Sequence, residues 1–365
     1  MGRKMAKGKK TYWLIPGIFV FLIYVFAAAR PIPKETVLVP RWLSSLESNF
    51  PVSFGENSRE EAAQIPFTLG NRFGYVGDNG YYVLNRIREE RNLSISPYSW
   101  SEYEALPSSI EVFDSQTTPL MTINNPRGYP VFLDDRVFLV GSEQNSLSAL
   151  DSKGEILWTY DSPAPLTCID AASGYVLTGT LDGAVDLLNA SGAQVFPSFE
   201  PGGSRLAVIL GCAISRDGSR LAVISGIDNQ RFLLLERSGD TYRIVYHEFL
   251  STGFRRAVHI RFIDNDSMVA FEREGGIGIY DTASRTTINL ALEGEITAMD
   301  TGDNKYFFVI CSQGQNVKSL VGIRLPGLVF LNAPFKSENV LLDRRNSKVY
   351  LGGDLSLISF ELGKK

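Results

Sequence analysis

The sequence predicts an all-β fold built from seven similar units, and two observations support this. Short apolar strands are repeatedly separated by tight turns rich in Asp, Asn, Ser and Gly, residues that accept positive φ. The first apolar or aromatic residue after each turn recurs at intervals of 38 to 56 residues, close to the length of one small antiparallel sheet. The seven turns are Asp78-Asn79-Gly80, Asp134-Asp135, Ser173-Gly174, Asp217-Gly218, Asn265-Asp266, Asp303-Asn304 and Arg345-Asn346.

Strands of period two exclude a helical solenoid and favour a ring of sheets. A four-stranded sheet of about forty residues cannot bury both faces alone, so it packs against copies of itself. We therefore expect a seven-bladed β-propeller over residues 64–365. The last unit supplies only three strands, and Gln64–Leu69 (QIPFTL) is expected to add the fourth and close the ring. Pro66 agrees with an edge strand, where a missing N–H is tolerated.

The N-terminus combines a basic leader with an uncharged segment. Residues 1–10 hold five positive side chains and no acidic one, and no charge occurs from Thr11 to Ala29. Nineteen helical residues would span about 28 Å, near the thickness of a bilayer core. We expect a transmembrane anchor with a cytoplasmic leader and an extracytoplasmic propeller, periplasmic in a bacterium. A signal peptide cleaved near Ala27–Ala29 is the alternative.

Residues 30–63 are expected to form a linker between this segment and the propeller. Four prolines interrupt it, and a polar stretch precedes residue 64. Trp42, Leu43, Leu46 and Phe50 fall at helical spacing after Pro40, which suggests one short amphipathic helix. Such a helix would lie on the membrane surface or dock on the propeller.

Charge and composition exclude several classes of function. Without the leader the chain has 31 basic against 40 acidic side chains, a net charge of −9, so nucleic-acid binding is not expected. Only two histidines occur, which argues against a metal cluster or a histidine-dependent triad. The glycine cluster at 275–278 precedes no helix and is not a dinucleotide loop. We expect no cofactor, no metal and no catalytic residue.

Two segments resemble known propeller repeats. Residues 148–160, SALDSKGEILWTY, are similar to the pyrroloquinoline-quinone-type repeat, and residues 212–225, CAISRDGSRLAVIS, look like a WD40-type inner hairpin. The chain thus resembles quinoprotein-like and WD40-like β-propellers. It lacks the vicinal disulfide and calcium ligands of quinoprotein dehydrogenases and is closer in size to non-catalytic relatives such as the lipoprotein of the outer-membrane assembly machinery. This resemblance implies a scaffold role.

One stretch predicts a partner-binding surface. Residues 86–107 make the first predicted blade longer than the others, and long loops in compact repeats are commonly functional. Arginines beside aromatic side chains have the composition of interaction hot spots. The candidates are Arg88, Arg91, Tyr98, Trp100 and Tyr103. An extended hairpin that packs on its own blade is the alternative.

A second candidate site lies at the mouth of the central channel. Loops between second and third strands, and loops that precede inner strands, open on the same rim. The candidates for a ligand site there are Asp182, Asp228, Arg255, Arg256 and His259. Ordinary turn chemistry and solvated loop arginines explain the same residues.

From these observations we expect a membrane-anchored, extracytoplasmic and non-catalytic scaffold for protein partners, in envelope assembly or signalling. The alternative is a ligand-binding or enzymatic propeller that uses the channel mouth.

Overall fold

The computed structural model describes residues 14–28, 35–48, 50–54, 64–251, 253–300 and 305–364. One helix and two strands precede the repeats: α1 (Leu14–Ala28), β1 (Thr36–Ser45) and β2 (Val52–Ser53). The leader at 1–10 and the turn Asp303-Asn304 lie outside the described residues. The repeats lie within one compact unit, Val39–Leu362.

The repeats form eight antiparallel sheets that follow one another along the chain, and we number these sheets as blades 1 to 8. Blades 1 to 4 contain β3 (Ile65–Leu69), β4 (Arg72–Val76) and β5 (Tyr82–Ile87); β6 (Asn92–Ile95), β7 (Ser99–Tyr103), β8 (Ser109–Asp114) and β9 (Pro119–Asn124); β10 (Gly128–Leu133), β11 (Arg136–Gly141), β12 (Ser146–Leu150) and β13 (Ile156–Asp161); and β14 (Leu166–Ala172), β15 (Tyr175–Thr180) and β16 (Val185–Leu188).

Blades 5 to 8 contain β17 (Ile209–Ile214), β18 (Arg220–Ser225), β19 (Arg231–Ser238) and β20 (Thr241–Phe249); β21 (Ile260–Ile263), β22 (Met268–Arg273), β23 (Gly276–Asp281) and β24 (Thr286–Ala291); β25 (Glu295–Met299), β26 (Tyr306–Ser312), β27 (Val317–Arg324) and β28 (Leu328–Lys336); and β29 (Val340–Arg345), β30 (Lys348–Gly353) and β31 (Ser356–Lys364). Blade 8 is completed by β1 and β2.

The first strand of each blade lies nearest the ring axis. Inner strands of successive blades contact each other, as β6 does with β10, β14 with β17, and β25 with β29. Contact between β29 and β3 closes the ring. The architecture is therefore an all-β propeller, as predicted, but with eight blades, and the predicted number of seven is wrong.

The blade that the sequence analysis missed is blade 2, because its inner turn lacks the expected residues. The turn from Ser96 to Ser99 contains a proline and no Asp, Asn or Gly. The Ser96 hydroxyl instead accepts the N–H groups of Tyr98 at 3.3 Å and of Ser99 at 3.1 Å. The Asp78-Asn79-Gly80 turn joins the second and third strands of blade 1. The stretch 86–107 is therefore the junction of two blades, not an insertion within one.

Ring closure uses a different strand from the one predicted. The strand order in blade 8 is β2-β1-β31-β30-β29, so β1 supplies its fourth strand. Ile65–Leu69 is the inner strand of blade 1, and the assignment of Gln64–Leu69 to the last blade is wrong. The principle of closure by an N-terminal strand holds, but the residues come from the segment expected to be a linker. The predicted short helix around Trp42 is strand β1.

The blades stack through apolar layers, and strands in the middle of each blade are buried on both faces. Leu221, Val223 and Leu233 of blade 5 pack against Leu177 and Val185 of blade 4. Comparable layers lie between the other described neighbours from blade 1 to blade 7, and between blade 8 and blade 1. Burial on both faces explains why second strands are continuously apolar.

Side chains also cap the inner edges of the sheets. The Ser94 hydroxyl in β6 donates to the Pro130 carbonyl of the next blade at 2.6 Å, and Thr167 in β14 donates to the Ile209 carbonyl at the same distance. These bonds satisfy carbonyls that face the channel and would otherwise lack a ladder partner.

The predicted transmembrane helix is not borne out. Helix α1 has 15 residues. Within the described ranges, every helix is too short or too polar to cross a membrane. The predictions of a transmembrane helix, of the membrane as a partner through it, and of a single-pass topology are therefore wrong.

Candidate functional site

The connections between second and third strands all emerge at one end of the ring, which we call the upper rim. Links from one blade to the next inner strand open there too. Turns between first and second strands lie at the opposite end, the lower rim. This follows from the alternation of antiparallel strands.

A cleft opens at the upper rim between blades 2 and 3, with a volume of about 480 Å³. Three connections form its walls: the β7–β8 loop, the β9–β10 loop and the start of the β11–β12 loop. The residues that line it include Tyr103, Glu104, Leu106, Pro107, Pro126 and Arg127. We call this site the rim cleft.

Tyr103 forms a fixed aromatic wall of the rim cleft. Its ring packs on the apolar layer between blades 2 and 3, and its hydroxyl lies 3.2 Å from the Ser94 hydroxyl oxygen. The Ser94 hydroxyl has one proton, which it donates to the Pro130 carbonyl. The Tyr103 hydroxyl is therefore the donor in its hydrogen bond with Ser94. Two hydrogen bonds in series thus hold the Tyr103 side chain in place.

Of the two charged residues that line the rim cleft, Glu104 has an ion-pair partner and Arg127 has none among the described residues. Glu104 pairs with Arg91 at 3.8 Å, and both side chains are largely exposed. Arg127 is exposed, and among the described residues none forms an ion pair with it. The Arg127 carbonyl accepts the Ser142 N–H at 3.2 Å, which ties the backbone of this loop to blade 3. The cleft therefore presents one cation that is free to bind an anion.

The five predicted partner-binding residues lie in different parts of the propeller. Tyr103 and Arg91 lie at the rim cleft, whereas Tyr98 is exposed at the lower rim. Arg88 is exposed after the last strand of blade 1, where its N–H donates to the Asn71 carbonyl. The structure thus brings two of the five residues to one site.

Trp100 does not belong to an accessible surface. Its side chain is 1% exposed, stacks on Phe113 with centroids 4.8 Å apart and lies 5.3 Å from Phe73. Its Nε1–H donates to the Asp114 carbonyl at 2.9 Å. Trp100 is therefore a core residue between blades 1 and 2, and a partner cannot contact it without disrupting that layer.

The acidic candidates of the channel rim are occupied within their own loops. Thr180 donates to Asp182 at 2.5 Å. Ser204 donates to Asp228, and Arg205 lies 3.8 Å from the same carboxylate. The Ser204 hydroxyl and nearby backbone N–H groups lower the pKa of Asp228 to about 2. These contacts are typical of turn chemistry.

The basic candidates show the same pattern. Arg256 makes a two-pronged pair with the buried Glu272, at 2.6 and 3.0 Å, and stacks over Phe254. The surrounding protein partly desolvates the His259 imidazole and lowers its pKa, and Arg255 is exposed. Among the described residues, no hydrogen bond or ion pair joins these residues to Asp182 or Asp228. In the described part of the chain, no cluster of three His, Cys, Asp or Glu side chains has the arrangement of a metal site.

The sequence analysis overlooked Leu106, Pro126 and Arg127. Leu106 stands among polar residues and precedes a proline, and a large apolar residue in such a loop is a usable signal. Arg127 carries no such signal, because its role depends on its distance from the β7–β8 loop. That distance is set by how blades 2 and 3 stack.

The comparisons with known proteins agree with this architecture. A family model described as a beta-propeller protein matches residues 4–364. The chain belongs to this β-propeller family.

Two further likenesses are informative. An uncharacterized protein of Treponema pallidum (strain Nichols) is 28% identical over 362 residues, covering 98% of this chain and 95% of that protein. The crystal structure of BamB from Moraxella catarrhalis superimposes with a TM-score of 0.58 at 14% identity, covering 89% of this chain and all of that one. The second likeness shows the fold alone. The propeller prediction is confirmed, while the closer resemblance to WD40-type and quinoprotein repeats stays a prediction.

Proposed function

We propose that this propeller is a non-catalytic platform that binds protein partners on its upper rim. The observation that carries the proposal is that the loops of the upper rim expose more large apolar side chains than the inner turns of the lower rim. The eight-bladed ring supplies a stiff base from which loops of separate blades face the same direction.

Large apolar side chains project from upper-rim loops of several blades. Tyr81 in blade 1 is 50% exposed, Leu106 in blade 2 is 92% exposed, and Leu181 in blade 4 is 52% exposed. Leu206, between blades 4 and 5, and Leu355 in blade 8 are also about half exposed or more. Loops that face the same direction on a rigid scaffold and carry large exposed apolar side chains support a protein-binding role for this rim.

The lower rim has a different composition. Its inner turns are mostly Asp, Asn, Ser and Gly, as in Asp134-Asp135, Asn265-Asp266 and Asn346, several of them at positive φ. Tyr98 is the large apolar residue exposed in the described inner turns. Other apolar residues exposed at this end lie farther out, where third strands end or fourth strands begin: Ile87, Leu120, Ile156, Leu157 and Leu328. The inner turns of the lower rim therefore offer a weaker apolar docking surface than the loops of the upper rim.

The rival hypothesis of an enzyme at the channel mouth receives less support. Asp182, Asp228 and Arg256 each bind a neighbouring protein group, respectively Thr180, Ser204 and Glu272, and are not left free for a substrate. We therefore place the binding function on the apolar loops.

Site-specific photo-crosslinking tests this proposal. A benzophenone amino acid is placed at Leu206, Leu355 or Leu181 on the upper rim, and at Asp135 or Asn346 on the lower rim, in the native cell. We expect the same protein to be captured from upper-rim positions only, and the purified pair to bind in reconstitution. Capture from neither rim, or equally from both, would contradict the proposal.

A further inference from the structure

We propose that the rim cleft binds an extended peptide segment in which a large apolar side chain lies next to a carboxylate. This inference rests on the platform function above and names the class of partner. The carboxylate is that of an Asp or Glu side chain or of a peptide C-terminus.

The size of the rim cleft suits such a segment. Its volume of about 480 Å³ falls within the roughly 300–1,000 Å³ of pockets that hold small ligands. It opens at the upper rim among three loops, so a chain can enter it from solvent.

The apolar part of the peptide would rest on Tyr103 and Leu106. Tyr103 is already held by its bond to Ser94, so little side-chain entropy is lost when a ligand packs on its ring. Leu106 is almost fully exposed and gains burial when a ligand covers it. Pro107 and Pro126 stiffen the two loops on either side.

The carboxylate would bind Arg127. Its guanidinium is exposed and has no ion pair with a described residue, while the acid in the same cleft, Glu104, is paired with Arg91. Glu104 and Arg127 are the charged residues that line the cleft, and because Glu104 is paired with Arg91, the Arg127 guanidinium is the charge there that is left for a ligand. A planar guanidinium binds a carboxylate through two parallel hydrogen bonds.

A peptide array tests the inference with the full chain. Random decapeptides are synthesised twice, with a free C-terminal carboxylate and with a C-terminal amide. We expect bound peptides to carry an acidic residue, or the free terminus, within two positions of a large apolar residue. Loss of binding on amidation identifies the terminus as the source, and retention identifies an acidic side chain.

Variants assign the binding to the cleft. Arg127→Gln should weaken the selected peptides about tenfold, and Arg127→Lys should weaken them less. The matched control, Arg255→Gln, removes another exposed upper-rim arginine outside the cleft and should leave binding unchanged. Absence of binding, bound peptides without a carboxylate, or equal binding by Arg127→Gln would overturn the inference.

The two proposals can fail separately. Crosslinking from the upper rim together with an unsuccessful array would remove the cleft ligand and keep the platform. Selective peptide binding without any captured protein would keep the cleft ligand and remove the platform.

Discussion

Two joints of the ring, between blades 8 and 1 and between blades 2 and 3, show opposite solutions to the same packing problem. Both stack two small sheets face to face. The first is filled to its edge by Trp42 and sealed with polar contacts, whereas the second stays open at the upper rim as a cleft of about 480 Å³. We call the first the closure joint.

The closure joint combines the buried indole of Trp42 with a polar hub, which consists of Asp78, Lys348 and Tyr350. Trp42 is 1% exposed and donates to the Asp78 carbonyl at 2.7 Å. The Asp78 carboxylate accepts Tyr350 at 2.5 Å and is also bound by Lys348. Gly80 has φ of 86°, and a Cβ there would lie 2.8 Å from the Trp42 ring, so only glycine fits the turn.

The difference reflects how each pair of blades is connected. Blades 2 and 3 are joined by a short loop after Asn124, which keeps them together at little entropic cost. The closure joint brings together Asp78 and Tyr350, which are 272 positions apart in sequence, and closing so long a chain costs more entropy. Dense packing offsets that cost, while the joint held by a short loop can leave its rim open for a ligand.

Removal of Trp42 should have the largest effect. We expect Trp42→Ala to lower the free energy of unfolding by about 3–5 kcal/mol, because it leaves a cavity in the closure joint. Leu106→Ala at the rim cleft should change it by less than about 0.5 kcal/mol. Urea unfolding monitored by far-UV circular dichroism, which does not rely on tryptophan fluorescence, measures both changes. Similar losses of unfolding free energy would mean that the two joints do not differ as described.

The polar hub should contribute the next largest amount. Asp78→Asn should cost about 1–3 kcal/mol, since it removes a charge-assisted acceptor from Lys348 and Tyr350. A double-mutant cycle with Lys348→Met isolates the pair. A coupling energy of zero would show that packing alone seals the joint.

The loss of stability at alkaline pH should distinguish the two joints, because each contains a tyrosine with a raised pKa. Burial, and then the adjacent Asp78, raise the pKa of Tyr350, and burial raises the pKa of Tyr129 at the cleft to a lesser degree. The folded state therefore holds these protons more tightly, so the stabilisation is complete below about pH 10 and is lost as the pH rises further. Tyr350→Phe should flatten the fall in unfolding free energy above pH 10 more than Tyr129→Phe does. The opposite order would contradict the ranking of the two sites.

The smallest effect is expected for the exposed pair at the cleft. Glu104→Gln should change stability by less than about 0.5 kcal/mol, because Arg91 and Glu104 are largely solvated. The same change removes the acid that lines the cleft together with Arg127 and should tighten carboxylate-bearing peptides about twofold. Weaker binding would indicate that Glu104 itself contacts the ligand.

The regular blades could be predicted because their inner turns contain the residue types that tight turns favour. Asp134, Asp135, Ser173, Asn265 and Asp266 all adopt positive φ at the predicted places, where short polar side chains are favoured for local reasons. Blade 2 was not predicted because its inner turn has no Asp, Asn or Gly, and the Ser96 hydroxyl accepts the backbone N–H groups instead. A turn built by a side chain that is common everywhere cannot be distinguished from a loop.

The closing strand and the rim cleft were beyond prediction for a different reason. Trp42 has helical spacing to its apolar neighbours, yet it lies in a strand, because pairing of β1 with the last blade outweighs local preference. Leu106 and Arg127 stand about twenty residues apart in sequence and share a site only because blades 2 and 3 stack.

The amino-acid sequence by itself determined the all-β class, the repeat and the need for an N-terminal strand in the last blade. These follow from period-two apolar patterns, turn residues and a final unit with one strand too few, all of which are local properties. The tertiary structure decided the number of blades, the identity of the closing strand and the place of the cleft. Each of these depends on which distant surfaces exclude water together, and that is a property of the stacked ring rather than of any one segment.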